Sequence, residues 1–220
     1  MTTGLARLLP ALEGALAIYD RATAQHSARV SHLAGVIAQE LGLPGDEVEV
    51  VSYAGMLHDL GKLGIEPEVL QKAGPLNDDE WADIYGHPSV GSELVLAVSA
   101  DLVPVAEAIR AHHERWDGTG YPDQLGGHDI PIGGRIVAVA DAFDAMTHPC
   151  TYRFGRFSPN EAEEEVRRQA GRHFDPLVVG AFCALKDQRG EDDESAPVMA
   201  RVYSALFNPH TSEVSVTRAL

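Results

Sequence analysis

A histidine and an aspartate stand side by side at the end of an apolar helical stripe: Val50, Val51, Ala54, Met56 and Leu57 lead directly into His58 and Asp59, with Gly61 and Lys62 just beyond. Burying that stripe carries both ionisable groups toward the core, where an unpaired charge is costly. A partner or a cation must meet them there. An adjacent imidazole and carboxylate can bind a divalent metal, and Lys62, about one helical turn past Asp59, can reach the pocket that Asp59 faces. The plainer alternative is a histidine hydrogen-bonded to a neighbouring acid. The two readings separate only on what the rest of the chain supplies.

Most of the chain has helical periodicity, which predicts an all-α fold. Apolar residues recur at helical spacing from Gly4 to Ile18 with an interruption at Pro10, from Asp20 to Leu43 with Gly42 and Pro44 as the stop, and from Val48 to Leu60. Asn77 and Glu80 form a capping box that starts a short helix through Tyr85. Pro88 then suits the first turn of a new helix to Val98, which leaves His87 at an exposed junction. Further helices are predicted over Asp101–Trp116, Arg135–Met146, Ser158–Ala170 with its own capping box, and Pro176–Lys186, and Trp116 to Pro131 is a glycine-rich loop. At 220 residues this is one main domain, residues 20–186. Residues 1–19 form a packing or linker helix before it, and residues 187–220 an acidic linker with an amphipathic stretch, Val198 to Phe207.

Seventeen basic residues against thirty-three acidic ones give a formal net charge of −16, which argues against a surface that tracks a nucleic acid polymer. A small anionic substrate remains compatible, because bound cations invert the local field. Only Cys150 and Cys183 are present, too few for a disulfide framework. No run approaches the roughly 20 apolar residues of a membrane span. The expectation is a cytoplasmic protein that does not enter a membrane.

Other ionisable residues stand in similar places. His26 lies near the start of one helix, His87 precedes Pro88, His112 and His113 are adjacent at the end of another, and Asp141 interrupts the apolar run Ile136 to Ala140. A carboxylate in such a run must be paired or cation-bound. With His58 and Asp59 these make five histidines and two aspartates, enough for two octahedral-type cations sharing a bridging carboxylate; the mixture suits manganese, iron or zinc better than calcium. Neighbouring helical positions diverge by about 100°, so His112 and His113 are expected to reach different sides of the cluster or different ions. His32 has no partner motif and reads as an ordinary core or surface histidine.

Five segments in order resemble the HD-GYP family, a group within the HD metal-dependent phosphohydrolases. They are His26-Ser27-Ala28-Arg29-Val30, Leu57 to Lys62, His87-Pro88 with Gly91, His112 through Pro122, and Val139-Ala140-Asp141, spanning roughly Asp20 to Val179. The resemblance implies an HD-superfamily helical bundle with a central dinuclear metal site. It implies hydrolysis of cyclic di-GMP to linear pGpG or GMP by a metal-bridging hydroxide. The implied metal ligands are His26, His58, Asp59, His87, His112, His113 and Asp141, with Asp59 as the bridge. Two divalent ions are implied, iron or manganese first, with zinc, nickel and magnesium as further candidates. Lys62 matches the lysine that approaches the scissile phosphate, and Asp20 an acid that serves as base or orienter. Tyr121, in the Gly120-Tyr121-Pro122 loop, either packs as part of a turn or contacts substrate, with Trp116 a second ring for stacking a guanine. In the family that loop is associated with diguanylate cyclase (GGDEF) domains, so such a domain or a sensor domain is an implied partner, and a homodimer is compatible.

Two departures stand out. Some relatives place a glutamate four residues before the first histidine, where it holds a third metal; Ala22 occupies that position, so two ions are expected. After Asp141 the family often has an Arg-Pro-Tyr run on the substrate phosphate. Here Cys150-Thr151-Tyr152-Arg153 replaces it, leaving Tyr152 and Arg153 as the expected substrate contacts. Two alternatives stay open: an HD phosphohydrolase of another nucleotide or phosphate ester, and a catalytically weak cyclic di-GMP sensor.

Overall fold

The structure is a computed structural model and describes residues 21–72, 74–148 and 157–187. The helix expected over 4–18, the stretch 198–207, and Asp20, Cys150, Tyr152 and Arg153 lie outside the described residues. Within them the fold is helical, as the periodicity predicts, and the only β contact is an isolated bridge between Ala170 and Phe174. Helices α1 (Arg21–Glu40), α2 (Gly45–Leu57), α3 (Pro67–Leu70), α4 (Asp78–Val98), α5 (Val103–Ala111), α6 (Ile132–Thr147), α7 (Pro159–Arg168) and α8 (Pro176–Asp187) follow in order, with a 3-10 turn over Leu60–Gly64.

Helix α6 lies at the centre, packed on α1, α2, α5, α7 and α8, while α4 packs on α5 and on the 3-10 turn. Its run Ile136 to Ala140 is buried on every side, joined by Val30, Ile37, Leu57, Ile109 and Phe182 from its neighbours. Two glycines at its start allow the close approach: a Cβ on Gly133 or Gly134 would stand 2.8 Å from the methyl of Ala108 or Ala111 on α5. At the end of α1, Gly42 takes φ +74°, Leu43 N donates to Ala38 O and Gly42 N donates to Gln39 O. This left-handed cap stops the helix and turns the chain into α2.

Both expected capping boxes form, Asn77 with Glu80 and Ser158 with Glu161. The expected break at His87-Pro88 does not. Helix α4 runs unbroken through Pro88, and His87, far from an exposed junction, is buried at 1% exposure. Packing of α4 against α5 and the 3-10 turn outweighs the one backbone bond that the proline removes. The helix expected to reach Trp116 also stops early, at Ala111.

Candidate metal centre

Three of the histidines are oriented in one way. His58 Nδ1 bonds Gly55 O at 2.8 Å, His87 Nδ1 bonds Ile84 O at 2.6 Å, and His112 Nδ1 bonds Ile109 O at 2.6 Å. Each accepting carbonyl belongs to the residue three positions earlier, and each has lost its usual helical donor. Gly55 and Ile109 lie in the last turns of α2 and α5, where a carbonyl has no N–H four residues on within the helix, and Ile109 O keeps only a long backbone bond of 3.5 Å from His112 N. In α4 the carbonyl of Ile84 would accept from residue 88, but that residue is Pro88, which has no N–H. The proline thus frees the acceptor that orients His87. In all three rings Nδ1 is the donor, which leaves Nε2 facing the other side chains of the centre.

The fourth ring is held from outside. His26 Nδ1 donates to Asp144 Oδ2 at 2.8 Å, and Arg29 grips the same carboxylate with two bonds of 2.7 and 2.8 Å. His148 Nδ1 lies 3.1 Å from the other oxygen. Asp144 is 1% exposed. Burial would push its carboxyl up, but the bonds from His148, His26 and Arg29 hold it far below its ordinary range. Neither Asp144 nor Arg29 was expected in the site. The signal was present: Asp144 follows Asp141 by one turn, as Arg29 follows His26, so each pair shares a helix face.

So oriented, the side chains form two groups able to hold a metal ion, His26 with His58 and Asp141, and His87 with His112 and His113. His26 Nε2 is 3.3 Å from His58 Nε2 and 3.1 Å from Asp141 Oδ1, and His87 Nε2 is 3.4 Å from His112 Nε2. Asp59 stands between the groups, Oδ2 at 3.5 Å from His58 Nε2 and Oδ1 at 3.5 Å from His87 Nε2. Of the two arrangements expected for His112 and His113, different sides of one cluster or different ions, the fold brings both to one group with His87. The regular helix α5 ends at Ala111, just before them, and their rings lie 4.1 Å apart.

The donor set fits divalent cations. Two Nε2 lone pairs facing each other at 3.4 Å repel unless a proton or a metal lies between them. A proton is disfavoured in the second group: burial lowers His87, lowers His112 strongly together with the charges of His113 and His58, and takes His113 to about 3. The first group favours positive charge. Burial pulls His26 down, but its hydrogen bonds to Asp141 and Asp144 more than reverse this and raise it to about 10. Burial would push Asp59 up, yet the charges of His58, Lys62 and His87 hold it well below the carboxylate range. Lys62 Nζ donates to Asp59 Oδ2 at 2.7 Å.

The glycine-rich loop closes over this centre. Glu114, 2% exposed, accepts from the N–H groups of Asp123 at 2.7 Å and Leu125 at 3.1 Å. Tyr121 N donates to His113 O, and its ring stacks on His113 with centroids 4.8 Å apart. Trp116 meets His128 edge to face at 5.0 Å.

A family profile for the HD domain matches residues 10–178. The chain is 41% identical over 185 residues to the cyclic di-GMP phosphodiesterase response regulator RpfG of Xanthomonas campestris, covering 84% of this chain and 48% of that protein. It is 40% identical over 169 residues to a 3′3′-cGAMP-specific phosphodiesterase of Vibrio cholerae, covering 76% of this chain and 32% of that one. It thus spans about a third to a half of the length of these relatives. The fold resembles a solved Bdellovibrio bacteriovorus protein described as HDG"Y"P, with TM-score 0.58 and 22% identity over 75% of this chain and 52% of that one. No helix of the described residues is long and apolar enough to cross a membrane. With its helical fold, its paired histidine groups and a profile match over most of its length, the chain belongs to the HD-domain family.

Proposed function

We propose that this domain is a metal-dependent phosphodiesterase that opens cyclic di-GMP to linear pGpG or GMP. The observation that carries the reading is Asp59, whose two carboxylate oxygens face different histidine groups. We assign His26, His58 and Asp141 to one cation, His87, His112 and His113 to the other, and Asp59 to both, with iron or manganese as the metals. Bound there, divalent cations supply Lewis-acid charge neutralisation and lower the pKa of water toward neutrality. The chain's own part is to hold these donors in register, exclude bulk water by burial, and bring in Lys62. Hydrogen-bonded to Asp59, Lys62 adds a fixed positive charge for a phosphate oxygen. Asp20 as base or orienter, and Tyr152, Arg153 and Tyr121 as substrate contacts, complete the proposal, as do action in the cytoplasm and a diguanylate cyclase or sensor domain as partner.

A second reading, hydrolysis of 3′3′-cGAMP, is favoured by the relative that carries that name at 40% identity. One experiment addresses both. The protein is purified anaerobically, its iron and manganese are measured, and it is incubated with each cyclic dinucleotide. Linear product is expected from metal-loaded protein and none after chelation. Fully metallated protein that cleaves neither ends the reading, and tight binding without turnover marks a sensor. In the same assay Lys62→Ala is expected to slow turnover by about 10²–10³-fold with metal content retained; loss of metal would count against its role.

A further inference from the structure

Helix α4 carries two aromatic side chains one turn apart, Trp81 and Tyr85, that stay 43% and 47% exposed. They stack on each other, centroids 5.3 Å apart and planes at 23°. A single exposed ring needs no explanation, but these two continue inward. Tyr85 meets Tyr121 at 4.6 Å, and Tyr121 stacks on His113 at 4.8 Å and 26°. His113 belongs to the histidine group of the second cation site. An unbroken line of rings therefore runs from solvent to the centre.

We propose that Trp81 and Tyr85 form a stacking platform for one purine base of a cyclic dinucleotide whose phosphodiester lies at the metal centre. This rests on the reading given under Proposed function and adds the side chains that select base-bearing over base-free esters. The scale agrees. A base hangs one ribose away from its phosphate, and Tyr85 lies two ring-to-ring steps, 4.6 and 4.8 Å, from His113. Every base has a π-face, so stacking tolerates guanine and adenine alike while favouring either over no base. The occupant is the substrate because the platform is continuous with the site through Tyr121.

The test compares manganese-loaded wild type with Trp81→Ala, Tyr85→Ala and the ring-keeping variants Trp81→Phe and Tyr85→Phe. Two substrates are used, cyclic di-GMP and the base-free diester methyl p-nitrophenyl phosphate. Each alanine variant is expected to lower the ratio of kcat/KM for cyclic di-GMP to that for the small ester by about tenfold, mainly through KM, and the phenylalanine variants to restore most of it. An unchanged ratio, or equal losses on both substrates, overturns the platform. Tryptophan fluorescence gives a readout independent of turnover: GMP is expected to quench wild type saturably, Trp81→Phe to lose that quenching, and inorganic phosphate to cause none. Absence of GMP quenching also overturns the proposal. Wild type that cleaves only the small ester sinks the cyclic-dinucleotide reading instead, while GMP quenching still tests the platform. If the rings are covered by a second copy of the chain, sedimentation will show Trp81→Ala dissociating a dimer with the substrate ratio unchanged, which rules the platform out.

Discussion

Asp144 is the residue on which most of the local order converges. One buried carboxylate accepts from His26, is gripped twice by Arg29 and lies beside His148. Its charge satisfies a guanidinium and holds the His26 ring with Nε2 facing Asp141. Asp144→Asn keeps the shape and removes the charge, so the half-buried Arg29 loses its counterion. A stability loss of about 3 kcal/mol is expected by chemical denaturation, because breaking a buried pair strands the remaining charge. Metal affinity is expected to fall roughly 10- to 100-fold in a titration of the refolded variant, because His26 loses its orienter. Undiminished affinity would show that Asp141 alone fixes His26.

At the scale of elements, the centre is made by helix ends and by one proline that imitates a helix end. Pro88→Ala returns an N–H to position 88, which then competes with His87 Nδ1 for the carbonyl of Ile84. The helix is expected to be as stable or more so by thermal melting, while affinity at the histidine group containing His87 falls by about threefold to tenfold. A variant with a raised melting point and undiminished affinity would mean that the carbonyl serves both donors at once. Gly61 acts on the same pair of elements. A Cβ there would overlap the carbonyl oxygen of His87 and stand 2.7 Å from Gly91 N. The 3-10 turn and α4 are therefore in backbone contact, which brings Asp59 to His87. Gly61→Ala must push them apart, and a loss of bound metal together with a drop of about 2–3 kcal/mol in stability is expected. Gly64→Ala is the control, since its nearest neighbour is a Val90 methyl at 3.8 Å.

Across the whole molecule, the glycine-rich loop is tied to the far end of the bundle as well as to the centre. Trp116 N donates to His173 O and Asp117 N to Arg172 O, joining the loop to the α7–α8 connection. His173 stacks on Phe174 at 4.2 Å, and burial, with the charge of Arg115, lowers it to about 4 from 6.5. The unfolded chain then binds this proton more readily between pH 6.5 and 4. His173 accordingly contributes stability that is present above pH 6.5 and lost as pH falls to about 4. The stability difference between wild type and His173→Gln is expected to narrow over that interval in denaturant titrations at stepped pH. A constant difference would show that the imidazole is protonated as easily folded as unfolded.

Most of the helices, both capping boxes, the stop at Gly42 and the histidines and aspartates that the fold brings together were legible in the sequence, because they depend on local pattern. An apolar period dictates a helix, a side chain within reach of an N-terminal N–H caps it, and an acid such as Asp141 in a buried run demands a partner. His87 shows the limit. Pro88 reads locally as a helix start, and only the packing of α4 against α5 and the 3-10 turn keeps the helix continuous and buries the imidazole. Asp144 shares a helix face with Asp141, but that spacing does not name its partners His26 and Arg29, which come from α1, and Glu114 likewise has no local mark of the returning loop that binds it. His58 and Asp59, read alone, were compatible with a plain hydrogen-bonded pair. Which oxygen of Asp59 faces which histidine group was decided only when Gly61 met the backbone of α4, since that placement is set by the distance between elements and no single element contains it.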